Sequence, residues 1–520
     1  MMPSETVRHG DETMLRRLAS LSLAVVLAVG GAVGCDGDRR EGIRPEDLTY
    51  EPLEFTPPNP TDYRTELSNG LVVYLAEDHE IPWFDASLLL RDGPFLEPPD
   101  KIGVASLTQR LMREGGTTSM TGEDMDERMD YLAGSVTATR LSIHMRHLDE
   151  GLGLWLDILN NPAFPADKLR RQKEAALVSI QNRNQNVTTV AGRTFNNLIY
   201  GEDSPITAQQ TEGMVNGFTR QDLLNWHQKY WGANNAILVV AGAFQRDEML
   251  QKLEETFGQW RHAEKAEPPI PEVQQAAEAG VYMIEPEVIP NQGVIRIGHV
   301  GLMQDHPDYP AVDLMNYILG GGSFSSRITK VVRSDQGLAY STGSSFSGGT
   351  LYPGTFAASC QTKNSTVVFA AQLMLNEIER IRTEPVPQED LEFARTARIN
   401  AFPAMFAGGG MGGGSGIFRT LGNFASLEFN GRPMDYYDKY VERYEQVTVE
   451  DVQRVAQEYL RPENMIIMIA GNISESRAGA DELLPNQATI DEMAALFGGR
   501  TLDGLATKYG DGTVRILELK

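Results

Sequence analysis

His144 and His147 are the only two histidines at short metal-ligand spacing, and Asp149 and Glu150 follow them. Imidazoles and carboxylates are zinc ligands. Ser142 to Leu148 reads as a strand, however, and residues three apart on a strand point to opposite faces. The pair is therefore read as ordinary strand residues. The carboxylates Glu97, Glu114 and Glu174 are read as solvated. Gly408 to Gly414 is glycine interrupted only by Met411. No Gly-Lys-Ser/Thr follows it, so it is no phosphate loop. A mobile loop is expected there, because ordering glycine loses much entropy. Gly320-Gly321-Gly322 reads as a tight helix C-cap.

The elements that must position such groups belong to a large acidic chain. It has 520 residues, 41% apolar content and a formal net charge of -25. That composition supports sizeable cores and argues against a nucleic-acid partner, whose phosphates it would repel. Cys35 and Cys360 are the only cysteines. Arg16 and Arg17 precede an apolar run, Leu18 to Val33, that ends in Ala32-Val33-Gly34-Cys35. This is the layout of a signal peptide with a lipidated cysteine; a plain signal peptide or an uncleaved anchor is the alternative, and Met14 is an alternative start. With Cys35 lipidated, Cys360 has no intrachain partner and the fold cannot rest on a disulfide.

An internal repeat organises the body. Thr219 to Gly242 aligns without a gap on Thr448 to Gly471, matching Asp222 with Asp451, Tyr230 with Tyr459 and Asn235 with Asn464. Each copy has a threonine cap with an acid three residues on, then an amphipathic helix and an apolar strand. Leu71 to Leu75 reads as the first strand of the body and Asp85 to Leu90 as its neighbour. Pro268-Pro269-Ile270-Pro271 cannot continue a helix or a central strand. The expected layout is a signal peptide over 1–34, a lipidated tether over 35–62, an α/β domain over 63–262, a linker over 263–280, a homologous domain over 281–475 and a tail over 476–520. The tail contains one plausible helix, Ile490 to Phe497, and is given no function.

Over residues 63–475 the chain resembles the insulinase, pitrilysin and mitochondrial-processing-peptidase family of metallopeptidases. The likeness lies in Leu67-Ser68-Asn69-Gly70-Leu71-Val72-Val73, Gly103-Val104-Ala105, Asn291-Gln292 with Ile295 to His299, Leu319 to Gly322 with Ser326-Arg327, and Arg333 with Gly337 to Ser341. The resemblance implies an α+β fold of two tandem homologous domains. Each is a mixed or antiparallel sheet with helices on one face, and together they form half of a clamshell.

In active relatives Gly-x-Ala runs into His-x-x-Glu-His, which holds one zinc ion and carries a general base. Here Ser106 and Arg110 occupy the histidine positions, Gln109 the base position, and Ser179 the position of the third ligand. Serine is a poor zinc ligand and glutamine has no useful basicity. Arginine offers no lone pair. A guanidinium about 4 Å from a divalent ion is repelled by roughly 8 kcal/mol at an effective dielectric of 20. No catalytic residue, metal or cofactor is therefore expected in this chain.

The resemblance also implies that Arg333 and Tyr340 bind substrate and help polarise the scissile carbonyl; for the glycine loop, gating or contacting peptide is the alternative to a mobile loop. The expected function is the non-catalytic, substrate-binding subunit of a zinc metallopeptidase, whose sister chain carries the zinc. The expected place is the bacterial envelope, facing the periplasm, with the membrane reached through a lipid anchor. An independent metallopeptidase, a scaffold subunit and a periplasmic peptide-binding protein are the rivals.

Overall fold

The computed structural model describes residues 55–407, 415–478 and 502–519. The signal segment, Cys35, most of the tether, the Gly408–Gly414 loop and the Ile490–Phe497 segment lie outside the described residues.

The N-terminal half runs β1 (Arg64–Glu66), β2 (Val72–Glu77), β3 (Trp83–Leu90), α1 (Val104–Glu114), β4 (Ser135–Val136), β5 (Arg140–His144), α2 (Leu148–Asn160), α3 (Ala166–Asn182), α4 (Val187–Tyr200), α5 (Arg220–Tyr230) and β6 (Ala236–Gly242). The C-terminal half runs β7 (Gly280–Ile284), β8 (Gln292–Val300), α6 (Tyr309–Asn316), β9 (Thr342–Phe346), β10 (Thr355–Lys363), α7 (Val367–Thr383), α8 (Gln388–Ala401), α9 (Gly416–Phe429), α10 (Val449–Tyr459), β11 (Ile466–Ala470) and β12 (Val514–Leu517).

Each half builds a six-stranded sheet, in the orders β1-β2-β6-β3-β5-β4 and β12-β7-β11-β8-β10-β9. The repeat supplies the matching pieces. Thr219 with Asp222 and Thr448 with Asp451 form full capping boxes on α5 and α10. The strands that follow, β6 and β11, enter their sheets parallel to β2 and β7 and antiparallel to β3 and β8. β3 is therefore not the direct neighbour of β2, because β6 crosses back and inserts between them. A strand arriving after the helical segment can pair in parallel, which a direct hairpin cannot.

Side chains alternate across both sheets. Leu238 and Val240 of β6 join Val73, Leu75 and Phe84 in a core with the N-terminal helices. Ile237, Val239 and Ala241 face the other way with Tyr74 and Ala76, and are covered by Leu421, Phe424 and Ala425 of α9 from the C-terminal half. The converse holds on the second sheet. Ile467 and Ile469 of β11 pack with the C-terminal half's own helices, while Ile466, Met468 and Ala470 meet Val190, Ala191 and Phe195 of α4 from the N-terminal half. Each half thus packs its own helices on one sheet face and lends one helix to the other half's second face.

Polar contacts pin both loans. Arg64 donates to both oxygens of Glu428 on α9, at 2.8 and 2.9 Å, and the Tyr74 hydroxyl donates to the same carboxylate at 2.7 Å. The Tyr200 hydroxyl at the end of α4 donates to the Pro353 carbonyl at 3.1 Å.

Two more expectations change on the structure. The end of the segment expected to be a tail completes the second sheet. β12 pairs parallel with β7, and Leu502, Leu505, Ala506 and Tyr509 are buried in the C-terminal core. An apolar strand such as β7 needs its edge covered. The strand expected through Leu148 ends at His144, whose imidazole accepts from the Arg146 amide at 3.1 Å and starts a tight turn into α2. Among the described residues no group of three His, Cys, Asp or Glu side chains is placed to hold a metal ion, and no helix is long and apolar enough to cross a membrane. Cys360 is a buried free thiol, pushed up to about 12 by burial.

Two histidines belong to the core. Burial lowers His227 and His299 to about 4, against the backbone hydrogen bonds that raise them. The His299 ring donates to the Val300 carbonyl at 2.8 Å and accepts from the Arg461 amide at 3.2 Å, which suits the neutral imidazole.

The folded-state values lie below the unfolded value of about 6.5, so the neutral rings carry no penalty above that pH. As pH falls from about 6.5 to about 4 the unfolded chain takes up protons first, and stability drops by up to about 3 kcal/mol per ring. Urea midpoints should therefore fall between pH 7 and 4, and His299→Gln should flatten that slope. The loaned helices carry a second expectation. Phe195→Ala and Phe424→Ala each remove a fully buried ring and should each lower the urea-derived stability by about 3–5 kcal/mol. Each change sits in one half and strips cover from the sheet of the other.

Candidate functional site

Two clefts hold the residues singled out above. The first lies between α1 and α3. Gly103 enters α1 with φ 94°, a left-handed conformation that suits glycine, and a Cβ there would stand 1.7 Å from Nε2 of Gln210. Glu97 then caps the helix, accepting from the Gly103 and Ala105 amides at 2.8 and 2.9 Å. It is not the solvated residue expected, because the first-turn amides of a helix need acceptors. Val104, Ala105, Thr108, Leu111 and Met112 form the buried face of α1. That leaves Ser106, Gln109 and Arg110 on the exposed face.

Ser106, Arg110 and Ser179 line one cleft of about 270 Å³ with Gln172, Lys173 and Gln210. Gln109 does not line it; its amide reaches Thr139 Oγ1 at 3.3 Å. The Ser106 hydroxyl donates to the Gly103 carbonyl at 3.1 Å. Arg110 Nη1 donates to Gln172 Oε1 at 3.1 Å. Glu174 lies on the outer side of α3, where it accepts from Arg170 at 2.8 Å. These residues do not fit a zinc ion. The cleft offers two hydroxyls, two amides, a guanidinium and an ammonium, with no imidazole, thiolate or carboxylate among its lining residues. Zinc requires such ligands.

The second cleft, of about 460 Å³, lies on the C-terminal half and brings Arg333 and Tyr340 together. Its floor is β9, the edge strand of the second sheet, with Ala357 and Ser359 of β10. The Arg333 guanidinium sits between two rings, 4.3 Å from the centre of Phe324 and 4.6 Å from that of Tyr340. Both rings stand in solvent, Phe324 at 62% exposure and Tyr340 at 85%. Such stacking orients the planar guanidinium while leaving its N–H edge free. Arg333 makes no ion pair with any described residue, and Gly337, at φ 63°, provides the turn between the two residues.

The Gly320–Gly322 run does not form the tight helix C-cap expected of it. α6 instead continues through a widened turn, Tyr317–Gly321, that lies directly on β9. A Cβ on Gly320 would stand 2.4 Å from the Ser344 amide nitrogen, and one on Gly343 would stand 2.6 Å from the Gly320 carbonyl oxygen. The glycines thus serve close approach of helix and strand, and they set the wall of the cleft. Phe324 and Gln172 are members of these clefts that the sequence reading passed over. A lone aromatic just after Gly320-Gly321-Gly322-Ser323 was the available signal for the first; the second had none.

Residues 217–398 match the family model described as the peptidase M16 inactive domain. The matched stretch includes Arg333 and Tyr340. Over that stretch the chain is similar to the M16 peptidase family. It is 24% identical over 345 residues to an uncharacterized zinc protease of Rickettsia bellii, covering 64% of this chain and 81% of that one. It is 23% identical over 345 residues to the non-peptidase homolog YmxG of Helicobacter pylori, covering 64% and 77%. The crystal structure of a peptidase M16 inactive domain from Pseudomonas fluorescens superposes with a TM-score of 0.65 at 24% identity, covering 78% of this chain and 97% of that one. These likenesses fit a non-catalytic M16 member.

Proposed function

We propose that this M16 chain is the substrate-binding subunit of a two-chain zinc metallopeptidase acting on peptides. The sister chain would carry the zinc and the general base. This chain would supply Arg333 and Tyr340, and lipidated Cys35 would anchor it to the bacterial envelope, facing the periplasm. The observation that carries the reading is the pair itself. A guanidinium held between Phe324 and Tyr340, with its donor edge free of carboxylates among the described residues, stands over an edge strand whose backbone can pair with an extended peptide. A guanidinium and a phenol are both donors to a developing oxyanion. The exposure of Phe324, Tyr340 and Val178 also supports surfaces that work against another molecule.

Two measurements test this. The soluble body, equilibrated with zinc and then freed of unbound metal, should retain none; one zinc per chain, lost on changing particular residues, would make it an independent peptidase. Mixed with a sister chain bearing His-x-x-Glu-His, it should raise peptide hydrolysis. Arg333→Ala should then cut kcat/KM on the order of 10²-fold without changing co-elution of the two chains. Unchanged kcat/KM with intact assembly would leave only a scaffold role. For the anchor, Cys35→Ser should move the chain from the membrane fraction to the soluble fraction.

A further inference from the structure

The cleft between α1 and α3 has lost its metal chemistry, yet it is not inert. It carries two cations in a chain with 71 acidic and 46 basic residues, and none of the acidic residues lines it. Neither Arg110 nor Lys173 makes an ion pair with a described residue. Glu114 is the natural partner of Arg110, four residues on along α1, but Gln172 from α3 stands between them. Its Oε1 accepts from Arg110 at 3.1 Å and its Nε2 donates to Glu114. Both ends of one amide are thus used to keep the guanidinium and the carboxylate apart.

Lys173 is fixed in the same wall, donating to the Asn216 and Phe218 carbonyls at 2.7 and 3.0 Å. Those carbonyls hold the ammonium without neutralising it. The Ser179 hydroxyl is exposed further along the same helix, α3, and the apolar floor includes Val215 and Phe218. A planar guanidinium with free N–H groups, an uncompensated ammonium and a hydroxyl around a partly apolar cleft form a donor set for a carboxylate, which takes two parallel bonds from arginine.

We propose that this cleft is a carboxylate-binding subsite for peptide substrate, with Arg110 as its anchoring residue. The inference rests on the peptide-binding reading above and narrows it to peptides that present either an acidic side chain or a free C-terminus to the cleft.

The test is fluorescence anisotropy on the soluble chain with one labelled extended peptide in four forms: free or amidated C-terminus, each with an internal Glu or Gln. The wild-type chain should bind one carboxylate-bearing form about tenfold more tightly than its neutral counterpart, which is about 1.4 kcal/mol. The arm that shows the difference identifies the source of the carboxylate. Added salt should shrink the difference. Arg110→Gln, at an exposed position, should abolish it, Arg110→Lys should restore part of it, and Arg333→Ala should weaken all four forms alike while preserving it. Equal affinity for all four forms in the wild-type chain would overturn the subsite and leave peptide binding standing. Binding of none of them would overturn both.

Discussion

Each sheet of this protein has two apolar faces, and its own half covers only one of them. The remaining face of each is closed by a helix from the other half: α9 lies on Tyr74, Ile237 and Val239, and α4 lies on Tyr282, Ile466 and Met468. Neither half can bury its central strand without the other. Burial of apolar area is the main favourable term in folding, so this exchange makes the two halves one cooperative body.

The exchange also sets the clefts. α3 carries Ser179 near its C-terminal end and passes within a few residues into α4, which is docked on the second sheet. Arg193 of α4 donates to the Arg183 carbonyl at 3.3 Å and also to Asn184, tying that connection down. One wall of the first cleft is thus held by packing in the opposite half. The second cleft depends on glycine. α6 and its widened turn press on β9 only because Gly320 and Gly343 have no side chains, and this leaves the outer edge of β9 open beside Arg333.

The chemistry of the two clefts follows from the residues they kept and lost. A site built for zinc needs lone-pair donors and tolerates no fixed cation. Ser106, Arg110 and Ser179 provide two weak donors and a permanent positive charge, a set whose chemistry suits an anion better than a metal ion. Arg333 lines the second cleft. Its charge is permanent, and its plane is held by two rings.

Much of this was written in the sequence. The gapless repeat and its threonine-acid caps fixed two homologous halves, because capping and strand burial are local demands on residue type. Gly103-Val104-Ala105 located α1. The all-apolar runs of β6 and β11 signalled that both faces of each strand are buried. What covers the second faces was not legible, since a helix that is apolar on one face does not say which sheet it will meet. The partnership of Phe324 with Arg333, the capping role of Glu97, the interposition of Gln172 and the closing strand β12 were likewise decided only in three dimensions. Each joins residues distant in the chain, and composition and spacing constrain near neighbours while tertiary packing chooses among the distant ones.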